Sequence, residues 1–353
     1  MGDGRWAMSN EKPHPASRVP QPARVAHFLP VPTSMHRYDV AIVGGGPAGL
    51  TGAIWLARYL HSVVLVDSGD PRNWETRGVN GFLGLQSIRP ADLRQLGRDE
   101  CRKYGVELVD DIVVTARKLN DDEFTLERLA GEPLTARRIL LAIGIRDVWP
   151  EVPGLAHTFG HNAHVCPDCD GYEARGKKIV VIGNGRRAVG MALNLTTWTR
   201  DIIICTNGQP PALDLPEYCE KLDALNIPVI TERIEKVVCE GQSIHSLELS
   251  DGMILDADKV FLAIGQFPAD DAGTKLSLLL GCARDEEGHV IVDAHYHTSV
   301  FNVFAAGDIV PGPQLAIAAA ADGAIAALSI HKSLVPEGQR LTPLEHAGVT
   351  SEA

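Results

Sequence analysis

Two cysteines spaced Cys166-x-x-Cys169 carry the clearest chemistry in the chain. The 353 residues hold seven cysteines, at 101, 166, 169, 205, 219, 239 and 282, and only this pair lies close together. Two thiols separated by two residues can close a small disulfide where the backbone turns between them. In a reducing compartment such a pair argues for catalysis over structure. The chemistry is thiol–disulfide exchange, whose attacking species is a thiolate, so a proton acceptor nearby has a mechanistic reason. The run His161-Asn162-Ala163-His164-Val165-Cys166-Pro167-Asp168-Cys169-Asp170-Gly171-Tyr172-Glu173 supplies candidates. Asp170 follows Cys169 directly. His164 has two readings, a second base near Cys166 or a loop histidine satisfied by backbone. Asp168 stands between the cysteines, where its charge disfavours a thiolate and makes the couple more reducing. Zinc is the competing chemistry, since His161, His164, Cys166 and Cys169 are all acceptable ligands. Their spacing is cramped for most finger geometries, and no metal is expected.

The elements that must position this pair are two repeats of one β-α-β pattern. In the first, the apolar run Tyr38–Val43 ends in Gly44-Gly45-Gly46-Pro47-Ala48-Gly49, a helical pattern follows to Leu60, and a second strand, Val63–Val66, ends in Asp67. Gly44, Gly46 and Gly49 suit a tight turn, a close backbone approach to a pyrophosphate, and close helix–strand packing. Pro47 and Ala48 open the helix, whose N-terminal amides favour an anion. Asp67 stands 23 residues after Gly44, where a carboxylate can accept from ribose hydroxyls.

The second repeat has a strand at Lys178–Ile182, a glycine turn Gly183-Asn184-Gly185-Arg186-Arg187-Ala188, a helix to about Trp198, and a strand at Ile202–Cys205. Eight residues separate Cys169 from Lys178. Here the helix reads Ala188-Val189-Gly190-Met191-Ala192, without an acid, and the second strand runs into Thr206-Asn207-Gly208. Neither an acid for NAD nor arginines for NADP are present, which puts NAD(P)H binding in doubt. The stretches Ile139–Gly144 and Val260–Gly265 are near copies, each a buried strand closing its repeat.

The fold class is therefore α/β, with two Rossmann-like three-layer domains. Crossings near Pro153-Gly154 and Gln266-Phe267-Pro268 make the first domain discontinuous, over 37–153 and 269–335, with 154–268 as the second. Residues 1–36 hold six prolines and little hydrophobic periodicity, so they read as a disordered extension. A translation start at Met35 is the alternative there. Residues 336–353 read as a polar tail. A net charge of −12 argues against non-specific nucleic-acid binding, and no apolar run reaches the roughly 18 residues of a membrane span. An odd cysteine count without regular spacing and no apolar leader in residues 1–36 give a cytoplasmic expectation.

Two further features bring a resemblance. Cys166-Pro167-Asp168-Cys169-Asp170-Gly171, placed just before the second repeat, resembles the dithiol motif of the low-molecular-weight thioredoxin reductases. The run Phe301-Asn302-Val303-Phe304-Ala305-Ala306-Gly307-Asp308, followed by Pro313-Gln314-Leu315-Ala316, resembles the FAD-closing motif of that family. The likeness covers about residues 38–335. It implies a non-covalent FAD, with Asp308 on the ribityl chain, backbone near Gln314 and Leu315 by the flavin ring, and Asn80 contacting the flavin. Ser68, Val114, Ala142, Gly144 and Gly307 complete the implied FAD set. Cys169 is then the flavin-facing sulfur, Cys166 the interchange thiol and Asp170 the acid/base. A homodimer and a rotation of one domain against the other follow from the same likeness.

The family also places a Glu one turn into the second helix and a His-Arg-Arg run after the second strand, and this chain lacks both. An electron donor other than NADPH is one consequence. Every charged side chain between Ala174 and Asp201 is basic (Arg175, Lys177, Lys178, Arg186, Arg187, Arg200), which is either a solvated face or a dock for an acidic redox protein such as ferredoxin. The implied acceptor is thioredoxin or a similar small disulfide. Alternatively electrons run outward, from a small dithiol through flavin to oxygen. Asp67-Ser68-Gly69, Pro71-Arg72-Asn73 and Gly171-Tyr172-Glu173 also resemble the gliotoxin-type dithiol oxidases, in which His164 would serve as the second base. A non-enzymatic flavin redox sensor is the third reading.

Overall fold

A computed structural model describes residues 37–269 and 274–340. The expected disordered extension (1–36) and most of the expected tail (from residue 341 on) lie outside the described residues. The chain opens with β1 (Arg37–Val43), α1 (Pro47–Arg58), β2 (Val63–Asp67), α2 (Pro90–Lys103), β3 (Glu107–Asp110), β4 (Val113–Asn120), β5 (Glu123–Arg128) and β6 (Leu134–Leu141). β1 pairs in parallel with both β2 and β6, and β2 with β3. β4 and β5 form an antiparallel ribbon that joins the first half of β6.

The alternation of β1 sorts its side chains onto two faces. Val40 and Ile42 pack with Leu56, Leu65 and Phe304 beneath the helices. Ala41 and Val43 pack on the other face with Phe124, Leu126 and Ile139. A parallel strand covered on both faces reads as an apolar run, as Val40–Val43 does.

The middle of the chain builds a second sheet. It contains β7 (Ile145–Asp147), β8 (Ala163–His164), α3 (Pro167–Asp170), β9 (Ile179–Gly183), α4 (Gly185–Leu195), β10 (Ile202–Cys205), α5 (Pro216–Ala224), β11 (Val229–Ile230), the meander β12 (Ile234–Glu240), β13 (Ser243–Leu249) and β14 (Ile254–Asp256), then β15 (Lys259–Ala263) and β16 (Gln266–Pro268). The sheet order is β11-β10-β9-β15-β8. Ile179 and Val181 of β9 face α4, while Val180 and Ile182 pack on the meander side. β7 and β16 pair antiparallel, with Gln266 opposite Asp147.

Beyond residue 273 come α6 (Leu276–Leu279), β17 (Val303–Ala305) and α7 (Ala316–Leu334). β17 adds to the second half of β6, with Val303 opposite Ile139. Helix α7 lies against α1 so closely that a Cβ on Gly323 would stand 2.0 Å from the Ala48 carbonyl oxygen. Glycine is required there by proximity alone. The contact fixes the first turn of α1, which carries the glycine motif.

Candidate active site

The dithiol sits on a single helical turn. Cys166 caps α3, its sulfur accepting from the Cys169 amide at 3.1 Å, and Pro167 occupies the first helical position, where its missing N–H costs nothing. The Cα atoms of Cys166 and Cys169 are 5.3 Å apart and their sulfurs are bonded. Gly171 follows because a Cβ there would lie 2.5 Å from both the Pro167 carbonyl oxygen and the Trp198 ring. Asp168 accepts from Asn194 Nδ2 at 3.0 Å, which disperses some of its charge.

His164 is 6% exposed and sits in β8, which pairs in parallel with β15 so that His164 stands opposite Phe261. Of the two sequence readings of this residue, that of a loop histidine satisfied by backbone does not match its contacts. Its partners are side chains, not backbone: Nδ1 faces Asp170 Oδ2 at 3.3 Å and Nε2 faces Lys259 Nζ at 2.9 Å. Both ring nitrogens are thereby engaged, so the imidazole reaches the dithiol through Asp170. Burial pulls the Lys259 ammonium below the ordinary lysine range, while the charges of Asp170 and Glu173 act in the opposite direction. Neither Lys259 nor its pairing stood out in the sequence. A lysine opening the apolar run Val260-Phe261-Leu262-Ala263 is the signal that register converts into a contact. The four residues of the zinc alternative have other partners here. His161 meets Arg77, His164 meets Asp170 and Lys259, and the sulfurs meet each other. Among the described residues no three His, Cys, Asp or Glu side chains converge.

The dithiol turn rests on the loop after β2. Asn80 Nδ2 donates to the Cys169 carbonyl at 3.1 Å, and Ser87 Oγ donates to Asn80 Oδ1 at 2.9 Å, which fixes the amide's orientation. A Cβ on Gly160 would lie 2.3 Å from the Glu75 carbonyl oxygen, so the backbones touch there as well.

The first glycine turn is a cradle with one open side. Gly44 has φ +110°, and a Cβ on it would lie 2.2 Å from the Ala142 carbonyl oxygen. On Gly49 a Cβ would lie 1.9 Å from the Gly44 carbonyl oxygen. A Cβ on Gly46 would meet nothing within 4 Å, and the pocket in front of it is lined by Gly45, Pro47, Pro71, Asn73 and Arg94. Three constraints thus hold the turn, and the remaining position exposes backbone at a helix N-terminus. That arrangement fits a pyrophosphate. Asp67 closes the turn, its carboxylate paired with Arg94 and with Arg98, the latter at 3.3 Å. These two arginines escaped the sequence reading, although their four-residue spacing on α2 places them on one face. Ser68 follows Asp67 directly. Val114 lies in β4, and Gly144, at φ +67°, accepts at its carbonyl from the Ala269 amide across the crossing.

Gly307 has φ +79° and delivers Asp308 at the end of β17. Burial raises the Asp308 carboxyl above the ordinary range, against the pull of Arg72 at 3.7 Å. Arg72 also binds Asp147 in two-pronged fashion, at 2.8 and 2.9 Å, and donates to Gln314 Oε1 at 3.2 Å. Gln314 donates to Gln266, which donates to Asp147. Arg72, Asp147 and Gln266, unremarked in the sequence, therefore tie the crossing strands to the expected flavin-contacting segment, in which Leu315 caps α7. The polar side chains and the glycine cradle fit FAD.

The second glycine turn repeats the first and then departs from it. A Cβ on Gly183 would lie 2.6 Å from the Ala263 carbonyl oxygen, matching Gly44 against Ala142. The segment after β10, however, folds back over the turn. Gly185 N–H donates to the Pro211 carbonyl at 2.9 Å, and Asn184 Nδ2 donates to the Pro210 carbonyl at 3.2 Å. Thr206, at the end of β10, donates to the Gln209 carbonyl at 2.5 Å. Amide and strand end are thus satisfied from within the chain. The basic run is also partly neutralised. Arg187 lies 3.6 Å from Glu287, Lys178 lies 3.3 Å from Asp256, and Arg175 stacks on Tyr172.

Comparison with known proteins follows this geometry. The Pyridine nucleotide-disulphide oxidoreductase family matches residues 38–323. Thioredoxin reductase tcpT of Claviceps purpurea is 31% identical over 282 residues, covering 76% of this chain and 86% of that protein. A probable thioredoxin reductase of Arthroderma benhamiae is 29% identical over 216 residues, which span 57% of this chain and 54% of that protein's length. The crystal structure of HlmI superposes with a TM-score of 0.78 at 33% identity, over 84% of this chain and 92% of that one. With its matching sheets, its glycine cradle and its bonded Cys166–Cys169 pair, the chain belongs to the pyridine nucleotide-disulphide oxidoreductase family, as an FAD flavoprotein enzyme of the thioredoxin reductase type.

Proposed function

We propose that this protein is a thiol–disulfide oxidoreductase in which Cys166 and Cys169 pass electrons between FAD and a thioredoxin-like protein or small disulfide, with a donor other than NADPH. The observation that carries the donor half is the Gly185 amide, whose hydrogen bond goes to Pro211 at 2.9 Å. A nicotinamide dinucleotide needs that amide for its pyrophosphate, and the acid or arginines that would hold its ribose are absent from Thr206-Asn207-Gly208. FAD, when bound, supplies two-electron chemistry beside the disulfide. Residues 37–153 with 269–335 are proposed to hold it and residues 154–268 to carry the dithiol, a division supported by the meeting of β7 and β16. A homodimer in the cytoplasm completes the proposal.

The exchange step follows from the turn. In the reduced dithiol, Asp170 takes the proton that makes Cys166 a thiolate. Cys166 Sγ attacks one sulfur of the substrate disulfide, forming a mixed disulfide and releasing the other sulfur as a thiolate that takes up a proton. Cys169 Sγ then attacks Cys166 Sγ, the Cys166–Cys169 bond forms, and the second substrate sulfur leaves. Two thiols are oxidised and one substrate disulfide is reduced. Helix α3 suits this step because both sulfurs lie on one turn.

The same closed crevice also favours a second reading, in which a small dithiol reduces Cys166–Cys169 and oxygen takes the electrons as peroxide. One anaerobic experiment separates the readings. NADPH and NADH are expected to leave the flavin absorbance unbleached over minutes, and rapid bleaching by either overturns the donor assignment. Bleaching by a small dithiol, with peroxide on readmitting air and no insulin-coupled turnover of thioredoxin, selects the oxidase.

A further inference from the structure

Lys259 lies outside every motif above, yet it meets the histidine that faces Asp170, the residue directly after Cys169. It opens β15, and the register that places Phe261 opposite His164 brings its ammonium to 2.9 Å from His164 Nε2. An ammonium only donates, so Nε2 must be the accepting nitrogen and Nδ1 must carry the ring hydrogen. Nδ1 faces Asp170 Oδ2 at 3.3 Å. The ring therefore turns its N–H nitrogen toward the Asp170 carboxylate, at ion-pair distance. We infer that Lys259 is a positioning residue that fixes the Nδ1–H tautomer of His164 and, through it, holds Asp170 as a carboxylate ready to take the dithiol proton. This inference rests on the reading of Asp170 as the dithiol's acid/base.

Among the described residues, Lys259 is the side chain that meets His164 Nε2. The charged groups acting on the Lys259 ammonium are Asp170, Glu173, Lys177 and Arg77, and His161 acts on His164 from the loop before β8. His161 is turned to Arg77, so neither supplies a donor at His164 Nε2. The Phe261 ring packs 5.4 Å from the imidazole, centroid to centroid, and shuts out water on that face. Loss of the ammonium leaves Nε2 free to take a proton, and the ring can then adopt either tautomer or carry both hydrogens. Burial has already weakened Lys259's hold on its own proton. The three groups consequently form one chain, Lys259–His164–Asp170, from the edge of the second sheet to the dithiol turn.

The test uses the FAD-loaded full chain with its dithiol chemically reduced. The rate of iodoacetamide alkylation at Cys166 is followed by mass spectrometry from pH 5.5 to 9.5. Lys259→Met keeps the aliphatic stem and removes the cation. It is expected to change the shape of the pH profile and to change the rate at pH 7 by about tenfold. Lys259→Arg restores a donor that never gives up its proton, and is expected to return the wild-type profile. Imidazole nitrogen shifts of His164 are expected to report Nδ1–H alone in wild type and Lys259→Arg, and a mixture in Lys259→Met. An unchanged profile and unchanged ring shifts in folded Lys259→Met overturn the inference. So does a Lys259→Arg protein that behaves like Lys259→Met. If Asp170→Asn leaves the wild-type alkylation profile intact, the underlying assignment of Asp170 fails, whatever the Lys259 variants do.

Discussion

The contact between α1 and α7 offers a direct check on how the FAD cradle is held. Gly323→Ala puts a methyl 2.0 Å from the Ala48 carbonyl oxygen and 2.8 Å from its carbon, where carbon–oxygen contacts normally stop at about 3.3 Å. Both clashing atoms are backbone, so no rotamer change relieves them, and the helices must part by roughly 1 Å. Overpacking of this kind costs about 1–3 kcal/mol or more. The better helix propensity of alanine returns at most about 1 kcal/mol. A net loss of about 1–2 kcal/mol is expected, which lowers the melting temperature of the apoprotein by roughly 2–6 °C. Ala48 is the second residue of α1 and follows Gly46-Pro47, so the same displacement disturbs the open position of the cradle. Flavin affinity should fall by about tenfold, equivalent to ~1.4 kcal/mol. Gly190→Ala is the matched control. Gly190 lies inside α4 with nothing within 4 Å of its would-be Cβ, so alanine should stabilise by about 0.5–1 kcal/mol and leave flavin affinity unchanged. Thermal melts of apoprotein and flavin titrations of both variants decide the matter. A Gly323→Ala protein that melts at or above wild type with unchanged flavin affinity refutes the reasoning.

Acid stability should follow the arginine-bound carboxylates at the start of β1. Burial alone raises Asp39, but bonds from Ser62 and Arg137 outweigh it, and Arg138 and Arg137 do the same for Asp122, so both sit below the ordinary carboxylate range. A depressed folded value means the stabilisation is present above about pH 4 and is lost as pH falls through that region. Urea unfolding at pH 7 and pH 3.5 checks this, and Asp122→Asn should show a smaller loss between the two. Thiol reactivity should divide by burial. The Cys101 thiol is pushed up to about 12 by burial, aided by the charge of Glu100, and burial also raises Cys205. Alkylation at pH 8 should reach exposed Cys219 quickly and reach Cys101 and Cys205 only through unfolding, and native labelling of Cys101 at the Cys219 rate contradicts this.

Much of the first nucleotide site was legible because its constraints are local. The spacing of Gly44, Gly46 and Gly49 is written within six residues, although the Ala142 carbonyl that excludes a side chain at Gly44 comes from a distant strand, and Asp67 ends the neighbouring strand by the arithmetic of one β-α-β unit. The Cys166–Cys169 pair was legible for the same reason, since one turn of helix holds both sulfurs. What stayed hidden depends on register between distant strands. His164 and Lys259 are 95 residues apart, and only the pairing of β8 with β15 makes them neighbours. Arg72 and Asp147 are 75 apart, and meet only because β7 turns out of the first sheet to pair with β16.

The two glycine turns turn this difference into a functional argument. Gly44 against Ala142 and Gly183 against Ala263 are the same contact made twice, so the chain folds both units by one rule. Past the contact they diverge. Gly46 opens on a pocket, whereas Gly185 donates to Pro211 from a segment that begins at Gly208, where a nicotinamide-binding chain would carry its ribose partners. Loss of those partners alone would leave a weak but open crevice. Two consecutive prolines, Pro210 and Pro211, turn their carbonyls toward Asn184 and Gly185 and satisfy the donors that an empty turn leaves to water. Proline has no N–H and a fixed φ, so this pair spends no backbone donor of its own and loses little freedom in holding the pose. On the proposed reading, a dinucleotide arriving there has to break those bonds without gaining a ribose contact in return. The second unit thus keeps the strand–turn–helix frame that carries Cys166 and Cys169, with its ligand end filled by its own backbone.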